Sequence, residues 1–338
     1  MKASLTAVAL LACPPVFGGE WTKLAPLPDR EGVAGPFAGV SNGALLVAGG
    51  ANFPDRKPWD GGKKVWHDTV YALDKPTGAW KVAGKLPRPL AYGVCVSHGP
   101  GVVCVGGSDP DRHYPDAFRL EWADGKLVTT PLPSLPQPLA NACGALVGDT
   151  LYVCGGQVKP DAEATPAAWR LDLAAREPAW REIEACPGRG RMLAIAAGID
   201  GAFWVFGGVE LVAGKEKPER RYLSDAYRYD ARKGWTRVAD LPRPLAAAPS
   251  PAPTDAGGFY LLGGDDGSQI GTAPERHPGF NRKVLRYDLA SAKWSDGGTV
   301  EAPRVTVPCV RWERWWVVPS GEVRPGARSP DVWAWTAP

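Results

Sequence analysis

The feature that most constrains the fold is a short apolar strand that ends in a glycine pair and recurs along the chain. Five copies are intact, a sixth is degenerate, and successive copies are 49 to 57 residues apart. The copies are LLVAGG ending at Gly50, VVCVGG at Gly107, LYVCGG at Gly156, FWVFGG at Gly208, FYLLGG at Gly264 and the altered WWVVPSG at Gly321. A fixed period of this length indicates one small supersecondary unit per repeat. The sequence therefore predicts six such units.

A second alternating strand follows each glycine pair, and in several repeats a Trp and a Leu-Pro turn come next. These strands are VYALD (70–74), DAFRLEW (116–122), AWRLDL (168–173), DAYRYD (225–230), VLRYDL (284–289) and DVWAW (331–335). Period-two alternation broken by Gly, Pro, Asn and Asp is typical of strands and turns, and no long helical pattern is present. Four short strands per repeat of about 50 residues predict an all-β fold, a six-bladed kelch-type β-propeller.

The two ends of the chain are each incomplete as blades. The segment from Trp21 to Pro28 has the pattern of a fourth strand with no strands before it, and the last repeat stops at Trp335 without a fourth strand. We therefore expect the N-terminal strand to complete the C-terminal blade and close the ring, which removes open sheet edges. On this interpretation residues 20–338 form a single propeller domain.

The first residues have the layout of a secretory signal, because one lysine precedes the apolar stretch Leu5–Ala12 and small residues follow it. We expect residues 1–19 to be a signal peptide and the protein to be periplasmic or secreted, the alternatives being a lipoprotein anchor at Cys13 or a buried N-terminal strand. No stretch reaches the roughly 18 apolar residues that span a bilayer, so no membrane span is expected. A net charge of +3 gives no field that would favour nucleic acid as a partner.

Six cysteines follow the predicted signal peptide. Counting outward from two predicted turns places Cys143 opposite Cys154 and Cys95 opposite Cys104. Two hairpin disulfides are one interpretation in an oxidising compartment. The other, which we favour, is that the cysteines are small apolar core residues, because bonds between directly opposed strand neighbours are geometrically tight.

The strongest candidate for a functional site is the loop Gly321-Glu-Val-Arg-Pro-Gly-Ala-Arg328, in the one repeat whose glycine pair is altered. Propellers bind ligands at one mouth of the central channel, where the loops that leave the inner strands meet. This loop carries a carboxylate, Glu322, and a guanidinium, Arg328, six positions apart around a Pro-Gly turn. The alternative interpretation is a solvated ion pair of a surface loop with no function.

Three stretches resemble the bacterial N-acetylneuraminate epimerases, the periplasmic kelch mutarotases of sialic acid metabolism. They are GVAGPFAGVSNGALLVAGG (32–50), AYGV (91–94) and the loop 321–328, which matches the Gly-Glu-x-x-Pro-Gly-x-Arg loop of that family. The loop stands at the other end of the chain from its place in the family, so the resemblance implies a circularly permuted blade order and the same closed ring.

The resemblance implies a mutarotase that interconverts the anomers of N-acetylneuraminate or a related sugar acid by opening and reclosing the sugar ring. Glu322 would be the base, and Arg328 would pair with the carboxylate of a small-molecule sugar acid or steady the charge that develops on ring opening. This chemistry needs no metal and no other cofactor. The resemblance does not identify the proton donor, and a water or a Tyr would serve.

Two weaker matches and one departure from the family pattern supply candidate substrate-binding residues. Arg191 lies before the fourth repeat, where the family also has an Arg, and Asn281 lies before the strand at 284–289. Arg88 stands two residues before Leu90, which occupies the position of a family Arg. That departure bears on which sugar acid is bound.

Other functions remain open from the residues alone. The main alternative is a non-catalytic kelch propeller that binds carbohydrate or protein, because a fold does not fix a function. A copper radical oxidase needs a pair of His ligands, and the four histidines show no ligand-like pairing: His67, His98, His113 and His277. The repeated Ser-x-Asp-x-Gly-x-x-Trp turns of sialidases are absent from the sequence. A lyase or hydrolase would need a second carboxylate, and none is obvious.

Overall fold

The computed structural model describes residues 19–213 and 218–338. The expected signal peptide, except its last residue, and the expected anchor at Cys13 lie outside the described residues and stay predictions. Within these ranges the regular structure is β-strand plus two 3₁₀ turns, Pro58–Asp60 and Pro274–Arg276, which confirms the all-β prediction. No helix in the described part of the chain is long and apolar enough to cross a bilayer.

The described residues contain thirty strands. Strand β1 (Glu20–Leu24) precedes blade 1, which contains β2 (Phe37–Ser41), β3 (Ala44–Ala48), the short hairpin β4 (Ala51–Asn52) and β5 (Val65–Trp66), β6 (Thr69–Leu73) and β7 (Lys81–Lys85). Blade 2 contains β8 (Val94–His98), β9 (Gly101–Val105), β10 (Ala117–Ala123) and β11 (Lys126–Leu132). Blade 3 contains β12 (Cys143–Val147), β13 (Thr150–Cys154), β14 (Ala168–Asp172) and β15 (Trp180–Ile183).

The second half of the ring follows the same plan. Blade 4 contains β16 (Ile195–Ile199), β17 (Ala202–Phe206), the hairpin β18 (Val209–Val212) and β19 (Glu219–Tyr222), β20 (Ala226–Asp230) and β21 (Gly234–Arg237). Blade 5 contains β22 (Thr254–Asp255), β23 (Gly258–Leu262), β24 (Lys283–Asp288) and β25 (Lys293–Thr299). Blade 6 contains β26 (Val310–Trp312), β27 (Trp315–Pro319), the hairpin β28 (Glu322–Arg324) and β29 (Ala327–Arg328), and β30 (Val332–Thr336).

The ring closes through the N-terminal strand, as the sequence predicts. Blades 1 to 5 are four-stranded antiparallel sheets whose strands pair in chain order, with the hairpins β4–β5 and β18–β19 inserted in blades 1 and 4, whereas blade 6 has the order β1-β30-β27-β26. Strand β1 pairs antiparallel with β30 along its whole length, from Glu20 opposite Thr336 to Leu24 opposite Val332. The rings of Trp21 and Trp335 meet across this pair with centroids 6.0 Å apart. Blade 6 is therefore complete only because the chain returns to it.

The recurring tryptophans connect adjacent blades. In five of the six blades, an indole N–H on or beside the outermost strand donates a hydrogen bond to a backbone carbonyl at the end of the preceding blade. These bonds are Trp80 to Ala25 (2.8 Å), Trp180 to Pro133 (2.7 Å), Trp235 to Glu184 (2.7 Å), Trp294 to Ala239 (2.9 Å) and Trp21 to Thr299 (3.1 Å). Each bond contributes about 0.5–1.5 kcal/mol. The Trp and Leu-Pro pattern thus encodes the outer contacts of the ring.

The glycine pairs end the second strand of each blade at a turn that needs a left-handed backbone. Gly49 has φ +65°, and a Cβ there would lie 2.3 Å from the Leu90 carbonyl oxygen, so no other residue fits without movement. In the altered sixth repeat Ser320 takes this place at φ +71°. Its buried hydroxyl accepts a 2.8 Å hydrogen bond from the amide of Val33 and donates to the Ser329 carbonyl at 2.8 Å. These bonds help offset the strain of a left-handed Ser.

Six backbone hydrogen bonds form a closed ring around the channel mouth. In each blade, one residue on the N-terminal side of the innermost strand has a positive φ, between 54° and 64°. Its amide donates a hydrogen bond of 2.7–2.8 Å to the carbonyl of the equivalent residue in the preceding blade. The six residues are Gly35, Tyr92, Asn141, Leu193, Ala247 and Thr306, and they are called the mouth ring below. The channel space that they border measures about 550 Å³, part of it open to solvent. The mouth ring fixes the frame on which the loops of this face are held.

The cysteines lie in the apolar layers between blades. Cys143 is directly opposite Cys154, and Cys95 is directly opposite Cys104, as the turn counting predicts. All six cysteines after the predicted signal peptide are buried and free in the structure. Burial raises the pKa of the Cys95 thiol to about 12. Each cysteine therefore acts here as a small core residue with an unreactive thiol.

Candidate functional site at the channel mouth

The residue that follows the glycine pair, or the Ser-Gly pair of the sixth repeat, lies beside the mouth ring in every blade. Each of them forms an isolated β-bridge with the residue directly before one of the mouth-ring residues. Glu322, for example, bridges Val305, which precedes Thr306. The six residues are Ala51, Ser108, Gln157, Val209, Asp265 and Glu322. Amide and carbonyl groups of Glu322 and Val305 exchange two hydrogen bonds of 3.0 Å. The backbone of Glu322 is thus fixed to the rim of the channel.

The loop that the sequence singles out is the hairpin β28–β29, and it brings Glu322 and Arg328 directly opposite each other. Arg328 Nη1 lies 3.2 Å from Glu322 Oε1. The same carboxylate oxygen accepts a 2.7 Å hydrogen bond from the amide of Gly326, at the Pro-Gly turn. These contacts use Oε1 only, so Oε2 has no partner in the described ranges. The carboxylate is therefore oriented by its own hairpin with one oxygen left over.

Burial of this pair rules out the interpretation as a solvated ion pair. The side chain of Arg328 is only 5% exposed and that of Glu322 is 17% exposed. The Arg328 guanidinium lies over the ring of Phe53 at 4.8 Å from its centroid. Its Nε is buried without a hydrogen-bond partner among the described residues, and the contact of its buried Nη1 with Glu322 lacks hydrogen-bond geometry. A buried, unpartnered N–H group costs free energy until an acceptor reaches it. The geometry favours an anionic ligand or a water at this position.

Loops from the two neighbouring blades hold the hairpin in place. On one side Arg324 Nη1 donates to the Glu275 carbonyl at 3.1 Å, in the long connection of blade 5. On the other side the Arg324 guanidinium lies 5.3 Å from the Trp59 ring centroid, in the connection of blade 1. A Cβ on Gly326 would lie 2.4 Å from Pro58 Cγ, which shows how closely the turn packs there. Three blades therefore determine the orientation of Glu322 and Arg328.

Arg191 does not reach the mouth surface. Its side chain is 0% exposed, and its Nη1 and Nη2 donate to the two oxygens of Asp225 at 2.9 and 2.8 Å. Nη1 also donates to the Gly207 carbonyl at 3.0 Å. Arg304 occupies the equivalent place in blade 6, 6% exposed and 3.6 Å from Asp331. The burial and the recurrence of the pair favour a structural role for Arg191.

Asn281 and Arg88 lie at other sectors of the same face. Asn281 donates to Asp266 Oδ2 at 2.7 Å and accepts from the amide of Lys283 at 2.8 Å, which anchors the end of the blade 5 connection. Arg88 forms an ion pair with Asp116 and stacks on the Tyr114 ring at 4.3 Å. None of the recorded contacts of Asn281 or Arg88 within 19–213 and 218–338 is with the Glu322–Arg328 pair.

The sequence reasoning missed three residues of the mouth face, Lys64 and Trp66 in the blade 1 connection and Tyr92 in the mouth ring. Lys64 Nζ lies 4.9 Å from the Trp66 ring centroid and 5.1 Å from that of Tyr92. The rings of Trp66 and Tyr92 meet edge-on with centroids 6.4 Å apart. Tyr92 is part of the AYGV stretch that carries the resemblance, and its place before the first strand of blade 2 was the available signal. Lys64 and Trp66 belong to a connection whose length and sequence differ from repeat to repeat, so pattern alone gives them no position.

Metal ligands are not gathered anywhere in the described part of the chain, where no group of three or more His, Cys, Asp or Glu side chains has a suitable arrangement. The histidines have separate partners: His67 contacts Asn52 Oδ1 at 2.8 Å, and His98 contacts Asp149 Oδ1 at 3.0 Å. His113 is buried and contacts the Gln157 carbonyl. The His and Tyr arrangement of a copper radical oxidase is therefore not found among these residues.

Comparison with known proteins supplies the family. A family model described as N-acetylneuraminate epimerase matches residues 16–129 and 132–272, which is well over half of the chain. Curated relatives of that name include proteins of Brucella suis, 43% identical over 126 residues (32% of each chain), and of Pasteurella multocida, 37% identical over 129 residues (33% of this chain, 34% of the relative). A third, from Yersinia enterocolitica, is 44% identical over 110 residues (29% of this chain, 27% of the relative).

Each alignment with a curated relative spans only about a third of that relative's length or less. The family match ends at residue 272, before the hairpin that carries Glu322 and Arg328, so these comparisons do not test the site residues. They agree with the fold, because the match runs from the closing strand into blade 5 of the propeller. On the extent of that match, the chain belongs to the N-acetylneuraminate epimerase family.

Proposed function

We propose that the protein is a mutarotase that interconverts the anomers of N-acetylneuraminate or a related sugar acid. The proposal is supported by the family match and by the names of the relatives, which describe epimerases. Epimerases of this kind are isomerases acting on sugars. The predicted signal peptide would place the reaction in the periplasm or outside the cell.

The observation that carries the proposal is the pairing of Glu322 with a buried, incompletely hydrogen-bonded Arg328 at the channel mouth. A sugar acid presents a carboxylate beside its anomeric centre. The Arg328 fork is suited to that carboxylate, since guanidinium and carboxylate can form two parallel hydrogen bonds. Binding would supply the acceptors that the buried Nε and Nη1 lack.

In the proposed reaction Glu322 acts as the base. Its carboxylate would take the proton of the anomeric hydroxyl while the bond from the anomeric carbon to the ring oxygen breaks. The ring oxygen takes the bond electrons and a proton from an acid of the site or from water, which gives the open-chain keto form. Reclosure on the other face of the carbonyl gives the second anomer and returns the proton. General base catalysis of this kind contributes about 10²–10⁴-fold, which suffices for a reaction that already proceeds slowly in water.

The remaining candidates fit this proposal to different degrees. Asn281 and Arg88 are half-exposed on the mouth face, where they are available as contacts for distal parts of a ligand. Arg191 is left out of the proposed binding residues, because its guanidinium is enclosed and already paired with Asp225. No cofactor has a part in the proposed reaction.

The direct test is NMR of anomer exchange on freshly released α-N-acetylneuraminate, with and without the protein. Glu322→Gln should lower the exchange rate by about 10²–10⁴-fold while ligand affinity is kept, because the amide retains the shape and does not accept the proton. Arg328→Lys should mainly weaken binding, because a single ammonium replaces the planar fork. The matched control is Glu210→Gln, a carboxylate of the β18–β19 hairpin that pairs with Arg189 and Arg221.

The control variant should exchange anomers at the wild-type rate. A wild-type protein that binds the sugar acid and leaves the exchange rate at its solvent value would refute catalysis and favour the binding propeller. Full activity of Glu322→Gln, in a protein that folds normally, would remove Glu322 from the mechanism.

A further inference from the structure

Ring opening needs a proton donor for the ring oxygen as well as a base, and tyrosines are the obvious donors near the mouth. Most of them are already committed to carboxylates. Tyr222 donates to Asp265 at 2.5 Å, and Tyr114 donates to Asp109. A phenol that donates to a carboxylate holds its proton more firmly, and burial and Asp265 together raise the pKa of Tyr222. These phenols are poorly placed to release a proton to a ligand.

Tyr92 has the opposite arrangement. Its phenol oxygen is approached by the Lys64 ammonium at 3.4 Å, so the oxygen is the acceptor and its own O–H proton stays free. No acceptor for that proton is recorded in the described ranges. Lys64 also lies over the Tyr92 and Trp66 rings, which fixes the ammonium beside the phenol. The positive charge of Lys64 therefore lies beside the oxygen from which a proton would leave.

The backbone places Tyr92 two hydrogen bonds around the mouth ring from Thr306, which lies beside the Glu322 bridge. Tyr92 donates its amide to Gly35, and Gly35 donates to Thr306, which directly follows the Val305 that bridges Glu322. Gly35 has no side chain, and a Cβ there would lie 2.4 Å from Cδ1 of Tyr92. The Tyr92 ring therefore leans over Gly35, in the space between its own blade and blade 6. This also explains why the GVAG stretch needs a glycine at 35.

We infer that Tyr92 is the catalytic proton donor to the ring oxygen and that Lys64 is its positioning residue. The inference rests on the proposed mutarotase function. In ring opening the Glu322 carboxylate takes the anomeric hydroxyl proton, the bond between the anomeric carbon and the ring oxygen breaks, and that oxygen takes the bond electrons and the Tyr92 proton. The products are the open-chain keto acid, neutral Glu322 and a Tyr92 phenolate beside the Lys64 ammonium.

Ring closure reverses these transfers. The hydroxyl that was the ring oxygen attacks either face of the carbonyl and returns its proton to the phenolate, and the former carbonyl oxygen takes the proton of Glu322. The protein ends in its starting protonation state after either outcome, so attack on the second face accounts for the change of anomer. No further co-reactant is required.

The test compares kcat and KM for anomer exchange of N-acetylneuraminate in three variants of the full chain. Tyr92→Phe keeps the ring that packs on Gly35 and removes only the hydroxyl, so kcat should fall by about 10²-fold while KM stays within about twofold. Lys64→Met should lower kcat by about tenfold with little change in KM, because the phenolate loses its ammonium. Tyr222→Phe is the matched control, since its phenol is on the same face and committed to Asp265, and it should keep the wild-type kcat.

The outcomes separate the inference from the proposed function. If wild-type protein accelerates exchange and Tyr92→Phe exchanges at the same kcat, Tyr92 is not the donor and the mutarotase proposal stands. If the wild type gives no acceleration, the proposed function fails and the role of Tyr92 with it. A fall in kcat for Tyr222→Phe equal to that for Tyr92→Phe would also overturn the assignment. Lys64 is exposed, so its variant tests the arrangement even if Tyr92→Phe were to fold poorly.

Discussion

The Arg191–Asp225 pair gives a sharp test of whether a buried arginine of this face serves structure or ligand binding. Asp225→Asn removes the negative charge that neutralises Arg191 and replaces one acceptor oxygen by an N–H₂ group. The Arg191 side chain is 0% exposed and that of Asp225 is 18% exposed, so solvent does not take over the lost contacts. An uncompensated buried charge of this kind costs about 3–5 kcal/mol.

That cost converts into a measurable melting shift. At about 2.1 cal/mol/K per residue, a domain of this size has an unfolding entropy of roughly 0.7 kcal/mol/K, so a loss of 3–5 kcal/mol lowers Tm by about 4–7 °C. Asp240→Asn is the matched control, because Asp240 pairs with Arg237 at 2.7 Å with side chains 43% and 61% exposed. An exposed ion pair adds little to stability, so the control should melt within about 1–2 °C of the wild type.

The repeat itself supplies a second arm of the test. Leu90, Leu139 and Leu245 occupy the position of Arg191 in other blades, and all three are buried. The double change Arg191→Leu with Asp225→Ala removes both charges together and should recover most of the stability lost in Asp225→Asn. Melting by circular dichroism measures all four proteins. Equal Tm values for Asp225→Asn and Asp240→Asn would refute the structural role and return Arg191 to the candidate binding residues.

The pH dependence follows from the same pair. Burial opposes ionisation of Asp225, but the hydrogen bonds and charge of Arg191 outweigh it, so the pKa of Asp225 is lowered from its ordinary value. A lowered folded pKa means that the stabilisation is complete above the unfolded value of about 3.9 and is lost as pH falls through the folded pKa. The Tm difference between wild type and Asp225→Asn should therefore shrink below about pH 4.

Two further predictions concern the ring and the chemistry. Deleting residues 20–24 removes the strand that pairs with β30 and exposes the Trp335 ring. The truncated protein should therefore lose cooperative unfolding or melt well below the full chain. Unchanged calorimetric unfolding would contradict closure through this strand. Exhaustive chelation should leave anomer exchange unchanged, because proton transfer by Glu322 needs no metal. Activity that is lost on chelation and restored by a divalent metal would contradict that mechanism.

The fold was predictable because each repeat carries the same local signals for strands and turns. The glycine pairs mark positions where only a left-handed backbone fits, and alternation marks the strands between them. The turn counting that set Cys143 opposite Cys154 held because strand register follows from the turn. Closure through the N-terminal strand was predictable because the chain has one unpaired strand at its start and lacks one strand in its last repeat, which leaves a single way to pair them.

The site was predictable only in part. Glu322 and Arg328 lie near each other in sequence around a turn, so their pairing is a local matter. Their burial is not local, because Phe53, Trp59 and the blade 5 connection cover the hairpin from outside its own repeat. The interpretation as a solvated pair failed for that reason.

The surroundings of Arg191 and Tyr92 were likewise not predictable from the sequence. An arginine before a blade looks the same in sequence whether it faces a ligand or an aspartate 34 positions later, and only the assembled blade sets Asp225 against it. Tyr92 comes near the Glu322 sector through Gly35 and Thr306, residues of two other blades. The sequence by itself determined the six blades, their strands and the closure, because those follow from local backbone conformation and repeat spacing. The tertiary structure alone decided which polar side chains are paired, buried or free at the mouth, because six separate repeats have to converge on one axis before those contacts exist.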